Sequence, residues 1–204
     1  MANPAIALGE PRVLADVLPS ASRASVWARE AGLVLGGAAA VGASAQVAIP
    51  IPFITPVPFV LTTLTVLLLG AAYGPLRAGI TLAIYLAVGS AGMPWFSEAT
   101  SGMGHPSAGF IIGFLAAAIV VGHLAKRGAD RTFLKTSGLM VAGSLIIYAF
   151  GVPYLAVAAN MGAGEALYKG MGVFLVTDLM KLLIAAALLP AAWKGIERLR
   201  GDNQ

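Results

Sequence analysis

Residues 107–125 read Ser-Ala-Gly-Phe-Ile-Ile-Gly-Phe-Leu-Ala-Ala-Ala-Ile-Val-Val-Gly-His-Leu-Ala and stop at Lys126-Arg127. The run contains no acid, no lysine and no arginine, and its one histidine is His123. About 20 apolar residues closed by a basic pair is the length and flank pattern of a helix that crosses a bilayer. The same pattern recurs on either side. Expected spans occupy 31–49, 57–73, 76–91, 136–159 and 170–193, so that with 107–125 there are six. Composition agrees: 58% of the 204 residues are hydrophobic, 11% are charged, and the mean hydropathy is +0.86. A water-soluble domain of that composition would lack the polar surface to cover itself. The expected fold class is therefore all-α, a polytopic membrane protein, with the lipid bilayer as its solvent.

The breaks between spans follow from backbone chemistry. Pro50, Pro52, Pro56 and Pro58 exclude regular helix after the first span, and Gly74-Pro75 separates the second from the third. A Gly/Pro/Ser-rich stretch over 92–106 precedes the fourth, and the link 160–169 precedes the sixth. The chain divides into a tail over 1–30, a membrane domain over 31–193 and a second tail over 194–204. The first tail has no apolar run long enough for a signal peptide, and a short amphipathic helix is expected near Pro11 to Leu18. Arg12, Arg23, Arg29, Arg77, Lys126, Arg127, Arg131, Lys135, Lys194, Arg198 and Arg200 all fall on one side of this layout. Only Lys169 lies in the loops of the other. The positive-inside rule then puts both termini in the cytoplasm of a cell-membrane protein. It also explains the net charge of +4 without nucleic acid. The loops 50–56, 92–106 and 160–169 are external, and a pocket open to the outside would use them.

Several chemistries are disfavoured. The chain has no cysteine, so thiolate metal sites and thiol nucleophiles are absent. With His105 and His123 expected on opposite sides, no histidine metal cluster forms. No nucleophile–base grouping and no Gly-x-x-x-x-Gly-Lys-Ser/Thr phosphate loop is present. Neither an enzyme nor a cofactor site is expected, and energy for active uptake would come from a partner or a gradient.

Two features remain for a site. Asp178 and Lys181 are three apart inside the last span, on one helix face. Each ionised side chain there costs about 2.5–3.5 kcal/mol on insertion scales, so the pair faces the bundle interior. A packing salt bridge is one role for it. Binding a urea-like or amide-like group, which needs an acceptor and a donor together, is the other. The second feature is the stretch Gly92-Met93-Pro94-Trp95-Phe96-Ser97-Glu98 with Gly102 to Phe110, which combines flexible backbone with aromatic and polar side chains. It suits a ligand lid, or an ordinary interfacial loop with its aromatics at the membrane surface.

The pattern Gly-x-Pro-x-Phe at 92–96, followed by His105-Pro106-Ser107-Ala108-Gly109-Phe110-Ile111-Ile112-Gly113-Phe114, resembles the Gly-Pro-Thr-Gly-Gly-Tyr-Leu-x-Gly-Phe signature of the BioY family. Ala45-Gln46-Val47-Ala48-Ile49-Pro50, Val57-Pro58 leading to Gly74-Pro75, and Thr177-Asp178-Leu179-Met180-Lys181 agree with it in order and spacing. The chain departs from the signature at His105, Ser107, Ala108 and Phe110. Leu61-Thr62-Thr63 stands where the family commonly has Thr-Leu-Gln-Thr. The resemblance implies a six-helix substrate-binding (S) component of an energy-coupling-factor (ECF) transporter. Such a protein holds biotin with high affinity near the external face and joins a transmembrane coupling protein and ATPase subunits. It further implies a substrate-binding set of Asp178, Lys181, Trp95, Phe96, Ser107, Phe110 and Asn160, with the ureido ring at Asp178 and Lys181. The small residues of the first span, Ala39 and Ala43 among them, would form the docking face for the coupling protein, or pack within the bundle. A different vitamin substrate is the nearest alternative.

Overall fold

A computed structural model describes residues 13–17 and 22–201. The helices are α1 (Arg23–Ala45), α2 (Thr62–Tyr73), α3 (Pro75–Ser90), α4 (Ala108–Ala125), α5 (Phe133–Ala158), α6 (Ala163–Gly170) and α7 (Leu175–Gly201). Two short strands, β1 (Ala48–Ile49) and β2 (Phe59–Val60), pair antiparallel with Ala48 opposite Val60. Among the described residues, α4, α5 and α7 are long and apolar enough to cross a membrane by themselves. The expected amphipathic segment near Pro11 to Leu18 lies partly outside the described residues; its described part is a single 3-10 turn, Leu14–Val17.

The decisive run at 107–125 becomes α4, and α4 is the hub of the bundle. Protein covers 61% of it, against 28% of the most apolar stretch of α5, because α2, α3 and α5 all pack on it. Glycines allow that approach. A Cβ at Gly122 would stand 2.6 Å from both the Gly74 carbonyl carbon and the Pro75 nitrogen, and one at Gly113 would stand 2.9 Å from the Ile147 backbone. Backbone contact of this kind is how membrane helices gain packing without a hydrophobic drive between them.

Hydropathy and hydrogen bonding place some boundaries differently. α1 starts at Arg23 rather than 31, because Ser22 and Ser25 form a reciprocal capping box at its first turn. The second span was expected from 57, yet 57–61 are not helical. Pro58 cannot donate a helical hydrogen bond, and Phe59–Val60 instead pair with β1. That leaves α2 with 12 residues, about 18 Å, shorter than a hydrocarbon core of about 30 Å. The turn to α3 uses Gly74 at φ 79°, a left-handed conformation open to glycine, and Pro75 starts α3, where its missing N–H costs nothing. The link 160–169 contains α6, held by a Glu165–Lys169 pair one turn apart at 2.8 Å. α7 runs on past 193 to Gly201 with Pro190 inside it.

The two ends of the bundle differ in chemistry. One end gathers the basic residues. Arg77 pairs with Asp16 at 2.7 Å and Glu30 at 2.5 Å, fastening the 3-10 turn and α1 to the α2–α3 turn. There the buried carboxylate of Asp130 accepts from Trp193 Nε1 at 2.7 Å, and the Arg131 guanidinium stacks 3.3 Å from the Trp193 ring centre. At the opposite end three long connections are tied together through side-chain donors and main-chain carbonyls. Thr55 Oγ1 donates to the Lys169 carbonyl at 2.8 Å and Tyr154 to the Met103 carbonyl at 2.5 Å. Gln46 Nε2 lies 3.1 Å from the carbonyls of both Trp95 and Phe96.

Candidate functional site

The tied end encloses a cavity. The arm after β1 contributes Val57, Pro58 and Val60; α4 contributes Phe110, Ile111 and Phe114; Phe174 closes it at the entry to α7. The space amounts to about 530 Å³ with its open mouth included, of which about 50 Å³ admits the centre of a water molecule. It is a narrow slot with aliphatic and aromatic walls. Phe174 is fixed by a tilted contact with Phe59 at 4.6 Å between ring centres, and Phe110 meets Tyr148 edge to face at 6.5 Å. Such walls suit a flat or chain-like apolar body.

Polar groups interrupt the walls at defined places. Thr62, Tyr85, Ser97, Ser107, Tyr148 and Lys181 all line the slot. Lys181 is six residues into α7, about 9 Å below its first residue, whereas Ser107 precedes α4 at loop level, so the two mark the deep end and the loop end. At the deep end Lys181 Nζ donates to Thr63 Oγ1 at 2.7 Å and to Asp178 Oδ1 at 3.2 Å. The Tyr148 hydroxyl donates to the other oxygen of Asp178. Three helices, α2, α5 and α7, thus converge on one charge pair whose side chains are only 16–17% exposed. Pairing and hydrogen bonding offset the burial of both charges. Asp178 itself stands behind Tyr148 and Lys181, which are the groups presented to the slot. Thr62 Oγ1 is buried without a hydrogen-bond partner.

At the loop end His105 Nδ1 is 2.7 Å from Ser107 Oγ, and the His105 ring stands edge-on to Phe96 at 5.7 Å between centres. Burial lowers the His105 pKa from its ordinary value, opposed by the Gly102 backbone.

The residues expected from sequence separate into those that line the slot and those behind it. Lys181, Ser107 and Phe110 line it, and Asp178 is one hydrogen bond away. Trp95 and Phe96 form its outer support. Trp95 Nε1 donates to the Tyr85 carbonyl at 3.0 Å, and fully buried Phe96 packs on Tyr85 and against Gly89. Asn160 does not join them: it is exposed, at φ 51° just past the end of α5, and lines no part of the slot. Its short polar side chain suits that left-handed turn position. Ala39 and Ala43 are exposed on the outer face of α1, with Gly32 and Gly36, while Gly37, Ala38, Val41 and Gly42 face the bundle. Sequence reasoning missed Tyr148, Thr62, Thr63 and Tyr85. For Tyr148 a signal existed, since a phenol in mid-span needs a hydrogen-bond partner.

The profile of the BioY family matches residues 17–198. The chain belongs to the BioY family. Within it, the biotin transporter BioY of Rhizobium etli is 32% identical over 143 residues, covering 65% of this chain and 76% of its own length. The probable biotin transporter BioY of Pyrococcus horikoshii is 30% identical over 182 residues, 86% of this chain and 99% of its own. Among solved structures, the S component for biotin from an ECF-type ABC transporter superposes with a TM-score of 0.75. The superposition covers 85% of this chain and 95% of that one at 20% identity, which is a likeness of fold. This BioY chain is accordingly an all-α membrane protein with the architecture of that S component.

Proposed function

We propose that this BioY chain binds biotin in the slot at its tied end and serves as the substrate-specific component of an ECF transporter for biotin uptake. The observation that carries the reading is the deep end of the slot. Lys181, with Tyr148 beside it and Asp178 behind, offers donors and acceptors to a ureido group, while Phe110, Phe114 and Phe174 supply apolar wall for a ring and an aliphatic chain. The ureido group meets this network, with Lys181 and Tyr148 in contact and Asp178 polarising both. The ligand's carboxylate is left at the loop end, near Ser107 and the mouth, where water retains access. Trp95 and Phe96 hold that loop in place.

The basic end faces the cytoplasm, and with it both termini, because Arg77, Lys126 and Arg131 collect there. The outward small face of α1 at Ala39 and Ala43 is the contact for a transmembrane coupling protein, which brings ATPase subunits with it. Its exposure supports that use over packing within the bundle. A screen of the purified protein against biotin and other vitamins tests the substrate. Tight binding of biotin alone is expected. Preference for a different vitamin would replace the substrate and keep the architecture.

A further inference from the structure

His105 lies in the loop before α4, and its ring meets a slot-lining hydroxyl. We infer that His105 is a positioning residue for the loop end of the slot. It sets whether the Ser107 hydroxyl accepts from or donates to a bound ligand, and its protonated form favours a ligand carboxylate there.

A neutral imidazole has two tautomers. With its proton on Nε2, the Nδ1 lone pair takes the only proton of Ser107 Oγ, 2.7 Å away. With its proton on Nδ1 it donates to that oxygen and leaves Nε2, which is buried without a hydrogen-bond partner, unprotonated. In the first tautomer only lone pairs of Ser107 face the slot, and they repel a carboxylate. Protonated His105 can only donate from Nδ1, and it adds a positive charge. Ser107 Oγ becomes the acceptor, and its own proton turns to the slot. Among the described residues no other group bonds the hydroxyl: Ser107 precedes α4, yet its side chain makes no capping bond to that helix. The lining also favours an anion, since Lys181 is its one charged residue and no carboxylate borders the slot directly. A carboxylate at Ser107 therefore raises the pKa of His105, and binding takes up a proton.

Other titratable groups surround the loop. Glu98 lies exposed on the same loop, Tyr154 of α5 is committed to the Met103 carbonyl, and Tyr85 of α3 lies beneath Phe96. Glu165 and Lys169 of α6 pair with each other, and Tyr148, Asp178 and Lys181 hold the deep end. An experiment on pH must subtract them, and His105→Asn does so. It places a neutral amide near the position of Nδ1 and leaves every other group in place.

The inference rests on the biotin reading above, and the test keeps the two apart. Biotin and its neutral methyl ester are titrated into the detergent-purified full chain between pH 5 and 8, in wild type and His105→Asn, with thermal unfolding as the control for folding. Wild-type affinity for biotin should rise roughly tenfold for each unit by which the carboxylate lifts His105. It should climb as pH falls through the bound-state pKa and level off below the free-state one. The ester should show no such slope, and neither should His105→Asn. Calorimetry of wild type in two buffers of different ionisation enthalpy should show proton uptake with biotin and none with the ester. Tight but pH-independent binding, or a slope that survives in a folded His105→Asn, overturns the role of His105 alone. Failure of folded wild type to bind biotin at any pH overturns the substrate reading and this inference together.

Discussion

Replacing both charges at the deep end, Asp178→Asn with Lys181→Met, separates a ligand-reading pair from a packing salt bridge. Each single change strands a charge inside the bundle, a cost of about 3–5 kcal/mol for a fully buried pair. Here the stranded group keeps one partner, Tyr148 for Asp178 or Thr63 for Lys181, so the loss should sit near the lower figure. The double change removes both charges at nearly constant volume. It leaves Tyr148 an amide oxygen to donate to, so stability should return to within about 1 kcal/mol of wild type. Binding should not return. The charge-assisted hydrogen bond that Lys181 gives the ureido group, at about 1.5–3 kcal/mol, corresponds to roughly a 10- to 10²-fold loss of affinity, to which the lost polarisation of Tyr148 by Asp178 adds. Thermal unfolding in detergent and biotin titration are read on one preparation. Near-normal affinity in a stable double variant would refute the assignment and leave the pair a structural one.

Further outcomes follow from other parts of the molecule. Thr62→Val removes a buried hydroxyl that has no partner, so it should raise stability by about 1 kcal/mol while weakening biotin about tenfold; unchanged affinity would take Thr62 out of the site. Burial raises the Asp130 carboxyl above its ordinary 3.8, with the Trp193 N–H and Arg131 acting against it. Its folded pKa is then the higher one, so its effect is most favourable at low pH and declines as pH rises from about 3.8 through the folded value. Asp130→Asn keeps an acceptor for Trp193 and should flatten that decline in Tm; an unchanged pH profile would contradict it. Ala39→Trp or Ala43→Trp, both on exposed positions, should leave Tm and biotin binding intact while reducing copurification with a coupling protein. Lost folding would instead mark the face as internal packing. Reporters fused after Arg127 and at the C-terminus should read cytoplasmic, and one within 160–169 external; an external C-terminus would invert the proposed orientation.

What the sequence disclosed depended on the kind of signal each element carries. α4 and α5 were placed to within three residues because a long apolar run between basic residues has one reading in a bilayer. The stretch 57–61 misled because apolar character is the same in a lipid-facing helix and in an extended arm that closes a cavity. Only Pro58 hinted at the difference. α6 was hidden for the opposite reason: it is short and polar, and its one local mark was the spacing of Glu165 and Lys169. At the site, Asp178 and Lys181 stood out because a charge in a span is costly wherever it points. Tyr148, thirty residues away, and Thr63 on another helix acquire meaning only when three helices meet. Asn160 shows the converse, a polar residue in the right loop whose backbone conformation turns it outward.

The ties that gather the three long connections have a consequence for how such a protein can change. Every acceptor in them is a main-chain carbonyl, which any amino acid supplies, so the ties constrain the identity of Gln46, Thr55 and Tyr154 and not of positions 95, 96, 103 or 169. Side chains such as those of Met103 and Lys169 can be exchanged while these ties hold, whereas Trp95 and Phe96 anchor their loop with their own side chains as well. The roof over the slot is thereby free to be re-lettered for a new cargo without first coming undone.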